Sequence, residues 1–114
     1  MTLQEVAQFV EGEIVFGAER AQECVEYGFA SDLMSDVLTQ KCSNFLLITG
    51  LANIQTIRTA EMSDAQYILF ARNKKATPEM LKLAGDNDMV IIQSPFSMFR
   101  TAGILYAAGL KPVY

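Results

Sequence analysis

Short apolar runs alternate with amphipathic segments in the second half of the chain, and this alternation constrains the fold most strongly. The runs are apolar at consecutive positions and cover residues 44–49, 67–71 and 89–93. Strands that are apolar on both faces are typical of parallel sheets covered by helices on both sides. Three strand–turn–helix units in succession predict an α/β fold. We expect residues 1–114 to form a single three-layer domain with a mainly parallel sheet flanked by helices.

The first 30 residues are less regular than the rest. Thr2 and Glu5 have the spacing of a capping box, which predicts a helix from the third residue that Gly12 should end. Short strands are expected over 13–16 and 24–30. This region is therefore predicted to supply one helix and edge strands that extend the sheet.

Capping residues mark the later helices. Ser31 is expected to cap a helix over 32–39, whose apolar positions follow helical spacing. Thr77 precedes a proline at the first helical position, and Gly85 should stop the helix that begins there. The turn at 50–53 is expected to lead into a helix that contains Ile54, Ile57, Arg58 and Glu61, and a last helix is expected over 98–108. Each predicted strand of the second half is thus followed by a predicted helix.

Several residue types are missing, and their absence excludes common chemistries. The 114 residues include no histidine, so a Ser–His or Cys–His nucleophile is excluded and the commonest zinc ligand is absent. Cys24 and Cys42 form no metal motif. Neither standard phosphate-binding glycine motif is present. The sequence predicts a protein that is not an enzyme and that has no metal site and no cofactor.

The charge balance bears on partners and on compartment. The formal net charge is −4, and no basic stripe is present, which argues against nucleic acid as a partner. No apolar run approaches the roughly 18 residues that span a bilayer. An acidic residue stands where a signal peptide would be basic, and free thiols suit a reducing compartment. We predict a cytoplasmic protein that binds neither nucleic acid nor a membrane.

Polar residues follow the three predicted strands in loops 49–53, 71–75 and 93–97. Ligands of open parallel sheets bind beyond the carboxyl ends of the strands, where helix N-termini favour anions. A nucleotide or other anion is therefore a candidate ligand. The candidate binding residues are Thr49, Asn53, Arg72, Asn73, Ser94 and Ser97. The alternative is that the hydroxyl residues cap helices and that the basic residues belong to solvated loops.

Asp32 and Asp36 are predicted to lie one helical turn apart, on one face of the helix that Ser31 caps. With Ser35 they form a candidate motif or interface. One interpretation is a metal site or an acid/base pair. A second is that the carboxylates favour the helix start. A third is that they bind backbone N–H groups of a neighbouring segment or subunit.

The same segment carries a family resemblance. Residues 28–38 read G-F-A-S-D-L-M-S-D-V-L, which resembles the G-x-x-x-D-L-L-S-D-V-M segment of stand-alone DRTGG-type domains. Segments 45–49, 53–54, 77–79, 89–97 and 103–106 are similar to later parts of that family, in the same order. The resemblance implies a small α/β module that is regulatory and dimer-forming. It also implies a relation to the N-terminal, non-kinase domain of HPr kinase.

Two pieces depart from the family pattern. Gly50 and Leu51 stand where Asp-Arg would fall, and Ala71, Arg72 and Asn73 stand where Thr-Gly-Gly would fall. Any binding role that those pieces have in the family is therefore in question for this chain.

Three functional hypotheses remain. The leading one is a non-catalytic regulatory or interaction domain that self-associates, as a homodimer or with another protein, since six methionines and 10% aromatic residues exceed the needs of one small core. The alternative is a sensor that binds a nucleotide or other anion at the strand-end loops. The third, ranked last, is an enzyme that uses Asp32 and Asp36.

Overall fold

The computed structural model describes residues 1–114 and contains five α-helices and six strands. The strands are β1 (Glu13–Phe16), β2 (Tyr27–Ala30), β3 (Leu46–Thr49), β4 (Tyr67–Phe70), β5 (Val90–Gln93) and β6 (Lys111–Pro112). The helices are α1 (Leu3–Phe9), α2 (Met34–Leu38), α3 (Ile54–Met62), α4 (Pro78–Asp86) and α5 (Met98–Ala108). The three apolar runs are the strands β3, β4 and β5, as predicted.

All six strands form one sheet, in the order β1-β5-β4-β3-β2-β6. β1 is antiparallel to β5, and every other neighbouring pair is parallel. Thr49 lies opposite Phe70, and Phe70 lies opposite Gln93. The carboxyl ends of β3, β4 and β5 therefore end level with each other at one edge of the sheet.

The crossovers place the helices in two layers. From β2 to β5 the chain moves one strand at a time in the same direction, and right-handed crossovers put α2, α3 and α4 on one face. α5 returns across the other face to reach β6 and packs beside α1. Leu47 and Ile68 belong to the core of the first face, whereas Leu46 and Leu69 belong to the core of the second. The predicted three-layer α/β fold is confirmed.

Two predicted helix ends are wrong for the same reason. α1 ends at Phe9, and Glu11 (φ 49°) adopts the left-handed conformation in place of Gly12. α4 continues through Gly85 to Asp86, and Asp88 (φ 53°) adopts the left-handed conformation. Each helix closes with a bond back to its last turn, such as Gly12 N–H to the Ala7 carbonyl at 2.8 Å.

These two glycines serve close packing instead. A Cβ at Gly85 would lie 2.9 Å from Cζ of Phe16, which packs on α4. A Cβ at Gly12 would overlap the carbonyl oxygen of Gln93 on β5. Both positions are glycine because another chain segment occupies the space of a side chain.

The segment before α2 also differs from its prediction. β2 begins at Tyr27, whereas Cys24 makes only an isolated bridge to Thr2. β6 pairs with β2, so β2 is not the edge of the sheet. The sequence did not predict β6, because a strand of two residues has no periodicity that a sequence pattern could reveal. α2 begins at Met34 rather than at residue 32. Ser31 does not cap it, because its hydroxyl instead accepts a bond from Leu33 N–H at 2.9 Å.

A polar network lies at the opposite edge of the sheet from the strand-end loops. Glu23 accepts bonds from the Arg20 guanidinium at 2.6 and 2.9 Å and from the Tyr67 hydroxyl at 2.8 Å. These bonds lower the pKa of Glu23, and the bond from Arg20 has the largest effect. Burial, followed by the bond to Glu23, raises the pKa of Tyr67. The network ties the segment after β1 to the start of β4.

Replacing Glu23 with glutamine is expected to lower stability near neutral pH but not in acid. A carboxyl with a lowered folded pKa stabilises the fold above its unfolded pKa of about 4.3, and this contribution is lost as pH falls through the folded pKa. The deficit of Glu23→Gln in melting temperature should therefore shrink below about pH 4. Glu19→Gln is the control, because Glu19 is exposed and makes no ion pair. An equal deficit at pH 3 and pH 7 would contradict the role assigned to Glu23.

None of the helices has both the length and the apolar content that crossing a membrane requires.

Candidate functional site at the carboxyl edge of the sheet

The three predicted loops meet at the carboxyl edge, joined by backbone hydrogen bonds. Arg72 N–H donates to the Phe96 carbonyl at 2.6 Å, and Asn73 N–H donates to the Ser94 carbonyl at 2.9 Å. Ala71 N–H donates to the Thr49 carbonyl at 2.9 Å. The loop after β4 is therefore held between the loops after β3 and β5.

A carboxylate from the neighbouring strand exit joins this edge. Asp32 Oδ1 accepts a bond from the Thr49 hydroxyl at 2.8 Å and one from Gly50 N–H at 2.7 Å. Its other oxygen, Oδ2, lies 3.8 Å from Nη1 of Arg72. Thr49 is fully buried, whereas the Asp32 and Arg72 side chains are 44% and 52% exposed. Three donors from two loops thus face one carboxylate that is open to solvent.

Arg72 and Asn73 occupy an unusual backbone conformation. Their φ values are 61° and 58°, and Lys74 N–H donates back to the Ala71 carbonyl at 3.2 Å. Consecutive left-handed residues favour glycine, and asparagine tolerates the conformation better than arginine does. Arginine here carries a cost of roughly 1 kcal/mol and places a cation at the strand ends.

Gly50 lets the Arg72 side chain cross the end of β3. A Cβ at Gly50 would lie 3.0 Å from Cδ and 3.2 Å from Nη1 of Arg72. Those distances are tighter than ordinary contact, so a larger residue would push the guanidinium away from Asp32. The sequence prediction missed Gly50, although a glycine directly after a buried strand is a signal of close approach.

The other predicted hydroxyl and amide residues are used internally. The buried Ser94 hydroxyl donates to the Val10 carbonyl at 2.8 Å and accepts from Phe96 N–H at 3.2 Å. Ser97 caps α5, accepting from Arg100 N–H at 3.1 Å, and Asn53 caps α3. The bonds of Ser97 and Asn53 agree with the capping alternative, whereas Ser94 caps no helix and joins its loop to the end of α1. Of the six predicted residues, Arg72 and Asn73 keep polar side-chain groups exposed at the edge without such a bond.

Basic side chains are concentrated around these loops. Arg72, Lys74 and Lys75 are exposed in the loop after β4, and the Arg100 guanidinium lies 3.6 Å over the Phe96 ring. Four of the nine basic residues of an acidic chain therefore belong to the loop after β4 or the first turn of α5. Glu11 and Glu13 line a shallow polar depression together with Lys75, so carboxylates accompany the basic residues there.

The predicted pairing of Asp32 with Asp36 is wrong. Asp32 precedes α2, so the two carboxylates do not share a helical face, and Asp36 and Ser35 are exposed in the first turn. Asp32 instead binds the backbone N–H of Gly50, so the third interpretation holds for Asp32 but not for Asp36. Nowhere does the structure bring together three His, Cys, Asp or Glu side chains that could hold a metal ion.

A second surface is apolar and lies on α5. Phe99 is 91% exposed and Tyr106 is 67% exposed, and their seven-residue separation puts both on one stripe. Gly103 lies between them, and a Cβ there would meet no atom within 4 Å. We call these three residues the α5 face. Beside it, Tyr106 lines a cavity of about 100 Å³ with Phe29 and residues of the β2–β6 edge.

Comparison with known proteins shows the fold. No family model and no curated protein matches the chain. It is similar to the crystal structure of the CBS and DRTGG domains of the regulatory region of Clostridium perfringens pyrophosphatase, complexed with the activator diadenosine tetraphosphate. The TM-score is 0.72 at 14% identity, over 98% of this chain and 48% of that one. The chain spans about half of that region and shares an α/β fold with it; the relation to HPr kinase stays a prediction.

Proposed function

We propose that residues 1–114 form one DRTGG-like regulatory domain of the cytoplasm that acts by association rather than catalysis. Its copies pair as a homodimer through the α5 face. The fold shared with a regulatory region of an enzyme supports a regulatory role. The pairing rests on one observation, which is the exposure of two aromatic side chains in a single stripe.

The α5 face has the properties of a surface that pairs with itself. Full burial of one aromatic side chain contributes about 1.5–3 kcal/mol of stability. In the isolated chain Phe99 and Tyr106 are exposed, so neither makes this contribution. Contiguous apolar patches mark interfaces, whereas single exposed side chains do not. Two-fold pairing brings the same patch against itself, so ridges must match hollows. Two aromatic ridges and the hollow at Gly103 meet that requirement.

Charge is also compatible with two-fold pairing. The only Lys, Arg, Asp or Glu in α5 is Arg100, whose guanidinium is held over the Phe96 ring. A patch that carried several like charges would repel its own copy. The α5 face carries none.

The decisive measurement is the mass in solution at micromolar concentration. We expect sedimentation to give twice the chain mass of 12.6 kDa. Phe99→Ser combined with Tyr106→Ser should return the mass to one chain. Met62→Ser is the matched control, because Met62 is 66% exposed on α3, on the opposite face of the sheet. A wild-type mass of one chain would overturn the proposal, as would an equal loss of mass in the Met62 variant.

A second function, as a sensor of a nucleotide or other anion, is favoured by the exposed Arg72 at the strand ends. The pyrophosphatase regulatory region of similar fold binds a nucleotide activator, which supports this class of ligand. We expect a nucleotide at about 100 times its dissociation constant to stabilise the wild type by about 2.7 kcal/mol. Arg72→Ala should remove the shift and Lys82→Ala, on α4, should keep it. A ligand that binds Arg72→Ala unchanged would exclude this site.

A further inference from the structure

The carboxyl edge already holds an anion, and that anion belongs to the chain. We propose that the Asp32 carboxylate occupies the place of an external oxyanion, a carboxylate or a phosphate oxygen, and that such an anion competes with it for Thr49, Gly50 and Arg72. The inference rests on the sensor function proposed above and extends it. It identifies the class of ligand and an internal competitor.

The donors around Asp32 form a built receptor for an oxyanion. A hydroxyl and a backbone N–H reach the same oxygen at 2.8 and 2.7 Å, and a guanidinium faces the other oxygen. Bonds of this length to an ionised acceptor are the strong class of hydrogen bond. The Thr49 hydroxyl also accepts from Leu51 N–H at 3.2 Å, which directs its own proton toward Asp32. Thr49 and Gly50 are buried, so their positions are preset.

The carboxylate fills this receptor incompletely. Its distance of 3.8 Å to Arg72 Nη1 exceeds the 2.7–2.9 Å of a charge-assisted bond, so the guanidinium keeps most of its donors free. About half of the Arg72 side chain faces solvent. A tetrahedral anion such as sulfate has four oxygens, whereas a carboxylate has two. One of its oxygens can accept from Gly50 N–H while others accept from the guanidinium. The receptor therefore suits an anion larger than the one that occupies it.

Asp32 is attached to a segment that can yield. It precedes α2, a helix of five residues whose N-cap, Leu33, offers no side-chain bond. Leu33 and Leu38 on this segment are 58% and 49% exposed. An anion that takes the place of Asp32 removes two hydrogen bonds that hold residues 31–33 to β3. Binding at the edge would thus weaken the attachment of the turn that leads into α2.

The test is rescue of a truncated side chain by a free carboxylate. Asp32→Ala leaves the three donors facing solvent, and formate is small enough to replace the lost group. We expect formate, but not chloride at equal ionic strength, to raise the melting temperature of Asp32→Ala by about 4 °C at saturation. Sulfate should act in the same way. The wild type and Asp36→Ala should respond to formate no more than to chloride.

Two further variants make the result decisive. Asp32→Ala combined with Arg72→Gln should lose the response to sulfate. Asp32→Asn keeps an acceptor oxygen and should fold normally, yet it should bind sulfate at least ~10-fold more tightly than the wild type, because the competing charge is gone. Equal sulfate affinity in Asp32→Asn and the wild type would overturn the inference, as would a formate response in Asp36→Ala equal to that of Asp32→Ala. A nucleotide screen that fails on the wild type would count against the sensor function but leave the formate result standing.

Discussion

Gly103→Gln is expected to give a chain that is more stable as a monomer and that no longer pairs. A glycine within a helix costs about 0.5–1 kcal/mol relative to alanine, and glutamine is a good helix former. The new Cβ would enter open space, so nothing within the chain opposes it. The free energy of unfolding should therefore rise by about 0.5–1 kcal/mol. The same side chain would fill the hollow between Phe99 and Tyr106 and keep a second copy away.

Gly103→Gln should gain stability while it loses association, and this combination distinguishes a blocked interface from a folding defect. A variant that loses association because it is misfolded also loses stability, whereas this one should gain stability. Sedimentation gives the mass, and denaturation below the dissociation concentration gives the stability of the isolated chain. Gly103→Ala is the control, because it should gain a similar stability with less effect on the mass. A Gly103→Gln protein that remains a dimer would show that the α5 face is not the interface.

Gly12→Ala is expected to be strongly destabilising, although it makes the same chemical change as Gly103→Ala. The added Cβ would overlap the Gln93 carbonyl oxygen, which belongs to the backbone of β5 and cannot rotate away. Gln93 is also held by Glu13, its partner across the β1–β5 pair, and its side-chain oxygen accepts from Ala76 N–H at 2.8 Å. Overpacking of this kind typically costs about 1–3 kcal/mol.

Thermal denaturation of both alanine variants measures the contrast. One kcal/mol shifts the melting temperature of a domain of this size by roughly 4 °C or more, so Gly12→Ala should melt well below the wild type. Gly103→Ala should melt at or above the temperature of the wild type. Both proteins are measured at several concentrations, so that the contribution of association to the melting temperature can be separated. A Gly12→Ala protein as stable as the wild type would mean that β1 can move away from β5 without loss.

The difference between these two glycines illustrates what a sequence conceals. In the sequence, Gly12 appears to be a helix terminator, because glycine commonly follows a last helical turn. In the structure Glu11 takes the left-handed position, and Gly12 is needed for its contact with a strand about 80 residues further along. Local preference therefore suggested the wrong role for Gly12, because the atoms that require a glycine there belong to a distant part of the sequence.

The position of the candidate site could be predicted from the sequence, but the role of each residue in it could not. The loops after β3, β4 and β5 were found because parallel strands end at one edge, and the residues of those loops do lie together. Ser94 and Ser97 could not be separated from Arg72, since a hydroxyl before a helix suits a cap and a ligand equally well. Only the hydrogen-bond partners in the structure show how each hydroxyl is used; the Ser94 hydroxyl, for example, donates to the Val10 carbonyl.

The sequence by itself determined the α/β class, the three central strands and the helices that follow them, because runs and caps act within a few residues of the chain. Tertiary structure alone decided the antiparallel direction of β1, the pairing of β6 and the place of Asp32. The bond from Thr49 to Asp32 joins residues 17 positions apart, and the bond from Ser94 to Val10 joins residues 84 apart. Contacts across such separations depend on how the whole sheet assembles, and no local preference encodes them.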